Sequence, residues 1–189
     1  SGRWAGEVMP TALKWLWDDE AESTVIPNPE THPTWKPHPE AIARDDVPQG
    51  KIERMESFAD SNVFPGTTRD WWIYVPAQYD ASKPAALMIF QDGERMKAKA
   101  RWRVPTVFDN LIASGDMPTT IAVFINPGHD LDKPRVKNKS SNRGLEYNSL
   151  GDRYARFLME EIMPEVEQRY SISKDPEMLA IAGSSSGAI

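Results

Sequence analysis

Three short apolar runs, Ala85 to Phe90, Thr120 to Ile125 and Met178 to Ala182, stand in this 189-residue chain with helical text between them. Runs without polar alternation suit strands covered on both faces. Strands joined through helices require right-handed crossovers and lie parallel in one sheet. The pattern predicts an α/β fold, a mostly parallel sheet with helices on both faces. Thr106 to Ser114 supplies the first helix, with Val107, Phe108, Leu111 and Ile112 on one face. Arg153 to Arg169 supplies the second, where Tyr154, Phe157, Leu158, Ile162, Val166 and Tyr170 trace an apolar stripe. Pro164 falls inside it and predicts a kink or break near Met163. Upstream, Lys51 to Phe58 and Asp70 to Val75 read as the first strands, and Pro76 closes the second.

Residues 1–49 differ from this body. Pro10, Pro27, Pro29, Pro33, Pro37, Pro39 and Pro48 interrupt any helix or central strand there. Trp4, Trp15, Trp17 and Trp35 carry more aromatic surface than a disordered linker does. The expectation is a Pro/Trp-rich arm packed on a body of residues 50–189, with a short helical piece near Thr11 to Glu22.

A net charge of -6 and a pI near 5.1 leave no basic patch for phosphates, so no nucleic-acid partner is expected. No run approaches the roughly 18 apolar residues of a membrane span. Zero cysteines exclude disulfides, thiolate metal sites and a Cys nucleophile. The compartment stays open, a periplasmic or secreted one being preferred to the cytoplasm. The histidines are His32, His38 and His129.

The third apolar run leads into Gly183-Ser184-Ser185-Ser186-Gly187, a G-x-S-x-G pentapeptide. Strand, glycine-flanked turn and helix make this pattern a nucleophile elbow, with Ser185 at its tip. A serine hydroxyl needs a base to take its proton, normally an oriented imidazole. In this chain order the acid and then the histidine follow the serine. Only four residues follow Ser185, none acidic or His, so the acid and histidine are expected downstream of this chain. His129 reads as a surface-loop residue, and His32 and His38 fall in the arm.

An oxyanion hole needs two backbone N–H groups aimed at the developing alkoxide. Ser186, next after the nucleophile, supplies one. Asp92-Gly93, at the end of the first apolar run, stands where the other is expected. Arg143, Glu146 and Tyr147 lie on a predicted loop beyond a strand's C-terminal end, the edge at which α/β sheets bind ligands. Two readings of Arg143 stay open: a clamp on an anionic or polyhydroxylated group, or a partner of Glu146 that stiffens the loop.

Several motifs carry a resemblance. They are Trp71 to Pro76, Phe90-Gln91-Asp92-Gly93-Glu94, Val123 to Gly128, and Asn142-Arg143 through Glu146-Tyr147. The Tyr154 to Val166 helix and the Gly183 to Gly187 elbow complete the set. Together, over about residues 50 to 189, they resemble the enterochelin-esterase-like ("putative esterase") branch of the α/β-hydrolase superfamily, which includes feruloyl and acetylxylan esterases. The resemblance implies a serine carboxylester hydrolase, without metal or organic cofactor, acting on a small-molecule or oligosaccharide-linked ester. Carried over, Ser185 is the nucleophile, Asp92 or Gly93 and Ser186 are oxyanion donors, and Arg143, Glu146 and Tyr147 line the pocket. The alternative is a non-catalytic relative that binds carbohydrate or siderophore. Gly187-Ala188 stands where many members have two glycines.

Overall fold

A computed structural model describes residues 13, 37–99, 101–133 and 141–188. In chain order these form β1 (Lys51–Arg54), β2 (Thr67–Thr68), β3 (Trp71–Val75), β4 (Ala86–Gln91), α1 (Gly93–Met96) and α2 (Val104–Ser114). There follow β5 (Thr120–Ile125), β6 (His129–Asp130), α3 (Arg143–Asn148), α4 (Arg153–Arg156), a π-helical turn (Phe157–Ile162), α5 (Met163–Glu167) and β7 (Leu179–Ala182).

One sheet carries the order β1-β3-β5-β4-β7, and β2 with β6 makes a small separate ribbon. The three apolar runs are parallel as expected: Ile89 of β4 stands between Val123 of β5 and Ile181 of β7. The first two strands pair antiparallel instead, β1 on β3 and β3 on β5. No helix separates β1 from β3, and parallel strands need a long crossover that this stretch does not provide. The sheet is therefore mixed, with a parallel half and an antiparallel half meeting at β5.

Alternation along the strands divides the core in two. Ile73, Leu87, Ile89, Ile121, Val123 and Ile125 face Phe157, Leu158, Ile162 and Val166 on one side of the sheet. Tyr74, Met88, Phe90, Ala122 and Phe124 face Val104, Val107, Phe108 and Leu111 of α2 on the other. Phe108 is fully buried, edge-on to both Tyr74 and Phe90 at 5.8 Å.

Some expectations need correction. β7 is not buried on both faces; Ile181 is 56% exposed. Of the kink or break expected near Met163, the break does not occur: helix continues through Pro164. The chain widens into the π turn just before it, where the Met163 N–H donates to the Leu158 carbonyl five residues back, and α-helix resumes. A proline lacks the N–H that an α-helix would use, and this shift of register absorbs the defect. The segment from Arg143 is a helix, not a loop.

The arm's tryptophans, His32 and most of the Thr11 to Glu22 piece lie outside the described residues. Leu13 is described and buried in the α2-side core. Residues 37–50 lie against α2: Asn110 Nδ2 donates to the Glu40 and Ile42 carbonyls, and the Gly50 N–H donates to Asp109 at 2.7 Å.

Candidate active site

β7 ends at Ala182 and the backbone turns sharply through Gly183 to Ser185. Ser185 has φ 57°, one of three non-glycine residues in the left-handed region among the described residues. That conformation costs an L-residue roughly 1–2 kcal/mol. A Cβ at Gly183 would stand 1.5 Å from the Gly187 carbonyl oxygen, so only glycine admits the turn. The Gly187 N–H donates to the Ser184 carbonyl at 3.0 Å and closes it. Ser185 is exposed and Gly187 is buried. Gly187 rests on the end of β4: a Cβ there would lie 3.3 Å from Gln91 Oε1 and 3.4 Å from Asp92 Oδ2.

Asp92, the residue after β4, is also left-handed, with φ 53° and ψ 44°. Gly93 then opens α1, tight against β5. A Cβ on it would fall 2.3 Å from the Phe124 carbonyl carbon and 2.4 Å from the Ile125 nitrogen. The Asp92 N–H donates to the Tyr147 hydroxyl oxygen at 3.2 Å. Burial pushes the Tyr147 phenol up, which keeps it protonated. The Gly93 N–H stands first in its helix, where no intrahelical acceptor exists.

α3 presents Arg143, Glu146 and Tyr147 at i, i+3 and i+4, hence on one face. Arg143 does not pair with Glu146. Its Nε and Nη2 grip the two Asp92 carboxylate oxygens at 2.8 and 2.6 Å, which raises the guanidinium pKa further. Glu146 points into the interior and pairs with Arg69 at 2.9 Å, both side chains having no solvent exposure. It also accepts from the Gly128 N–H and from Asn142 Nδ2, each at 3.0 Å. The Arg69 guanidinium lies 4.0 Å from the centre of the Phe157 ring. Sequence reasoning missed Arg69, because nothing local to it signals a partner 77 residues away.

His129 is buried, not a surface-loop residue. Its Nε2 meets the Lys133 carbonyl at 3.0 Å and its Nδ1 meets the Ser141 N–H at 3.3 Å. A carbonyl can only accept and an N–H only donate, so the ring is the neutral Nε2–H tautomer with its lone pair engaged. His38 Nδ1 accepts from the Glu40 N–H at 3.2 Å. Among the described residues no group of three or more His, Asp or Glu is placed to hold a metal ion. None of their helices is long and apolar enough to cross a membrane.

A part-parallel sheet with helices on both faces and a glycine-flanked serine turn leaving a parallel strand defines the α/β-hydrolase fold. Residues 61–189 match the model of the family described as "Putative esterase", and the chain belongs to that family. Solved structures agree in fold. A ferulic acid esterase from Anaeromyces mucronatus is 22% identical, with a TM-score of 0.59 over 80% of this chain and 56% of that one. The feruloyl esterase module from Clostridium thermocellum, complexed with sinapinate, is 17% identical with a TM-score of 0.55, over 90% of this chain and 54% of that one. The enterobactin esterase from Shigella flexneri is 21% identical with a TM-score of 0.52, over 75% of this chain and 33% of that one. The chain thus spans about half the length of the two feruloyl esterases and a third of the enterobactin esterase.

Proposed function

We propose that this chain carries the nucleophile and the oxyanion donors of a serine carboxylester hydrolase. The observation that carries the reading is Ser185, left-handed and exposed in a turn that only Gly183 permits. Backbone strain of this kind persists where the surrounding structure enforces it, and it holds the hydroxyl clear of the sheet. The Ser185 Oγ attacks the ester carbonyl and loses its proton to a base. The carbonyl oxygen becomes an alkoxide, stabilised by the N–H groups of Ser186 and Gly93. Collapse expels the alcohol and leaves an acyl-enzyme, which water hydrolyses by the same route in reverse.

The engaged ring nitrogens of His129 argue against it as that base. We place the triad's acid and histidine outside the described residues. The substrates named for the similar structures, with the family, favour a feruloyl or siderophore-type ester over the acetyl ester also expected from the sequence. Glu146, enclosed with Arg69, is assigned to holding α3 and not to the ligand.

A fluorophosphonate probe tests the reading, applied to the whole protein. Labelling that disappears in Ser185→Ala supports it. Absence of labelling in the folded wild type overturns it and favours a binding module.

A further inference from the structure

The Asp92 carboxylate sits where a serine hydrolase least tolerates a free negative charge. It belongs to the residue just before the Gly93 N–H. Its Oδ2 also lies against Gly187, two residues past Ser185. An alkoxide forming beside Ser185 would be repelled by it. The charge is not free, because Arg143 meets it with a two-point fork. Such forks fix geometry as well as charge. Arg143 itself stacks over the Tyr147 ring at 5.1 Å, and Tyr147 takes the Asp92 N–H. Glu146, on the same helical face, anchors all of this to the buried Arg69.

Resting on the serine-hydrolase reading, we infer that Asp92, Arg143 and Tyr147 form a charge-neutral brace. The three are positioning residues. Arg143 cancels the Asp92 carboxylate beside the forming alkoxide, and with Tyr147 it locks Asp92 left-handed. The Asp92 N–H is thereby withdrawn from the oxyanion site, and the Gly93 N–H takes its place. The inference reassigns Arg143: it is no clamp on the substrate. It also gives a reason for the i, i+3, i+4 spacing of Arg143, Glu146 and Tyr147. One helical face reads the turn after β4 with two residues and the interior with the third.

The test uses Arg143→Gln, Asp92→Asn, their double variant and Tyr147→Phe in the whole protein. Two readouts are taken: p-nitrophenyl acetate kinetics, and hydrogen exchange at the Asp92 amide. Arg143→Gln leaves an unneutralised carboxylate that opposes only the charged transition state. It should lower kcat by about tenfold to a hundredfold with KM changed less than about twofold, the signature of a transition-state effect. The double variant should recover most of the kcat, because no charge remains to cancel. Tyr147→Phe should speed Asp92 amide exchange by about tenfold or more, whatever the activity, since about 1.4 kcal/mol of lost hydrogen bonding is a tenfold change. A raised KM without rescue in the double variant would mark Arg143 as a substrate clamp and overturn the brace. So would unchanged exchange in Tyr147→Phe. A folded wild type that neither turns over nor labels would sink the serine-hydrolase reading and, with it, the electrostatic role of Arg143, whereas the exchange measurement decides separately whether Tyr147 holds the Asp92 N–H.

Discussion

Glu146→Gln is the substitution from which the structure predicts the largest loss for the smallest change in shape. Glu146 Oε2 accepts from Arg69 Nη1 at 2.9 Å and from the Gly128 N–H at 3.1 Å. Its Oε1 accepts from Asn142 Nδ2 and the Gly128 N–H, each at 3.0 Å. A glutamine must put an NH2 at one of these positions. Either orientation sets donor against donor, and the Arg69 charge loses its counter-charge in a site closed to solvent. Breaking a buried ion pair from one side costs about 3–5 kcal/mol. Domains hold only about 5–15 kcal/mol in total. At about 2–4 °C per kcal/mol for a chain of this size, the thermal midpoint should fall by roughly 6–20 °C. Urea unfolding followed by tryptophan fluorescence measures the free energy, and calorimetry the midpoint. Adding Arg69→Met should cost less in the Glu146→Gln background than in the wild type, because the stranded charge is removed with it. A Glu146→Gln loss under about 1 kcal/mol would refute the reasoning, since the site would then be open enough for water to serve Arg69.

Burial raises the Asp109 carboxyl pKa above its ordinary value near 3.8. The folded state then binds the proton more tightly than the unfolded chain does, so stability should rise as pH falls from the raised value towards the ordinary one. Asp109→Asn should flatten that slope in urea midpoints taken across pH. Its single carbonyl oxygen can still accept from both Tyr74 OH and the Gly50 N–H, which now share Oδ1. Gly183→Ala should abolish fluorophosphonate labelling of Ser185, because its methyl would need the place of the Gly187 carbonyl; undiminished labelling would show that the turn is not enforced. Ser185→Gly should be at least as stable in urea as Ser185→Ala, since glycine carries no penalty at φ 57°, and neither variant should label.

The parallel half of the sheet was legible because β4 and β5 are buried on both faces and so apolar without interruption. α2 was legible through Val107, Phe108, Leu111 and Ile112, all of them buried. The antiparallel half was not read in advance, since the text of Trp71 to Val75 says strand and nothing in it names a neighbour or a direction. α3 is six residues long and two of its three key side chains are charged, so no apolar period betrayed it. Gly183, Ser185 and Gly187 were visible as a motif, and the structure adds the backbone angle and close approach that the motif requires. The roles of Asp92, Arg143 and Glu146 depend on contacts 51 and 77 residues apart in the chain. Such pairings leave no local trace, and a sequence reader naturally pairs Arg143 with the Glu146 three residues away.

Ser185 is mounted on an edge strand of the sheet as the described residues form it. β5 lies between two neighbours, whereas β7 meets only β4 among the described residues and shows much of Ile181 to solvent. Regions with few buried contacts open before the whole domain does. The site can therefore melt while its scaffold stands. On gradual warming, the serine should lose its reactivity some degrees below the temperature at which the remaining sheet unfolds. Anything that covers the free side of β7 would bring those two temperatures together.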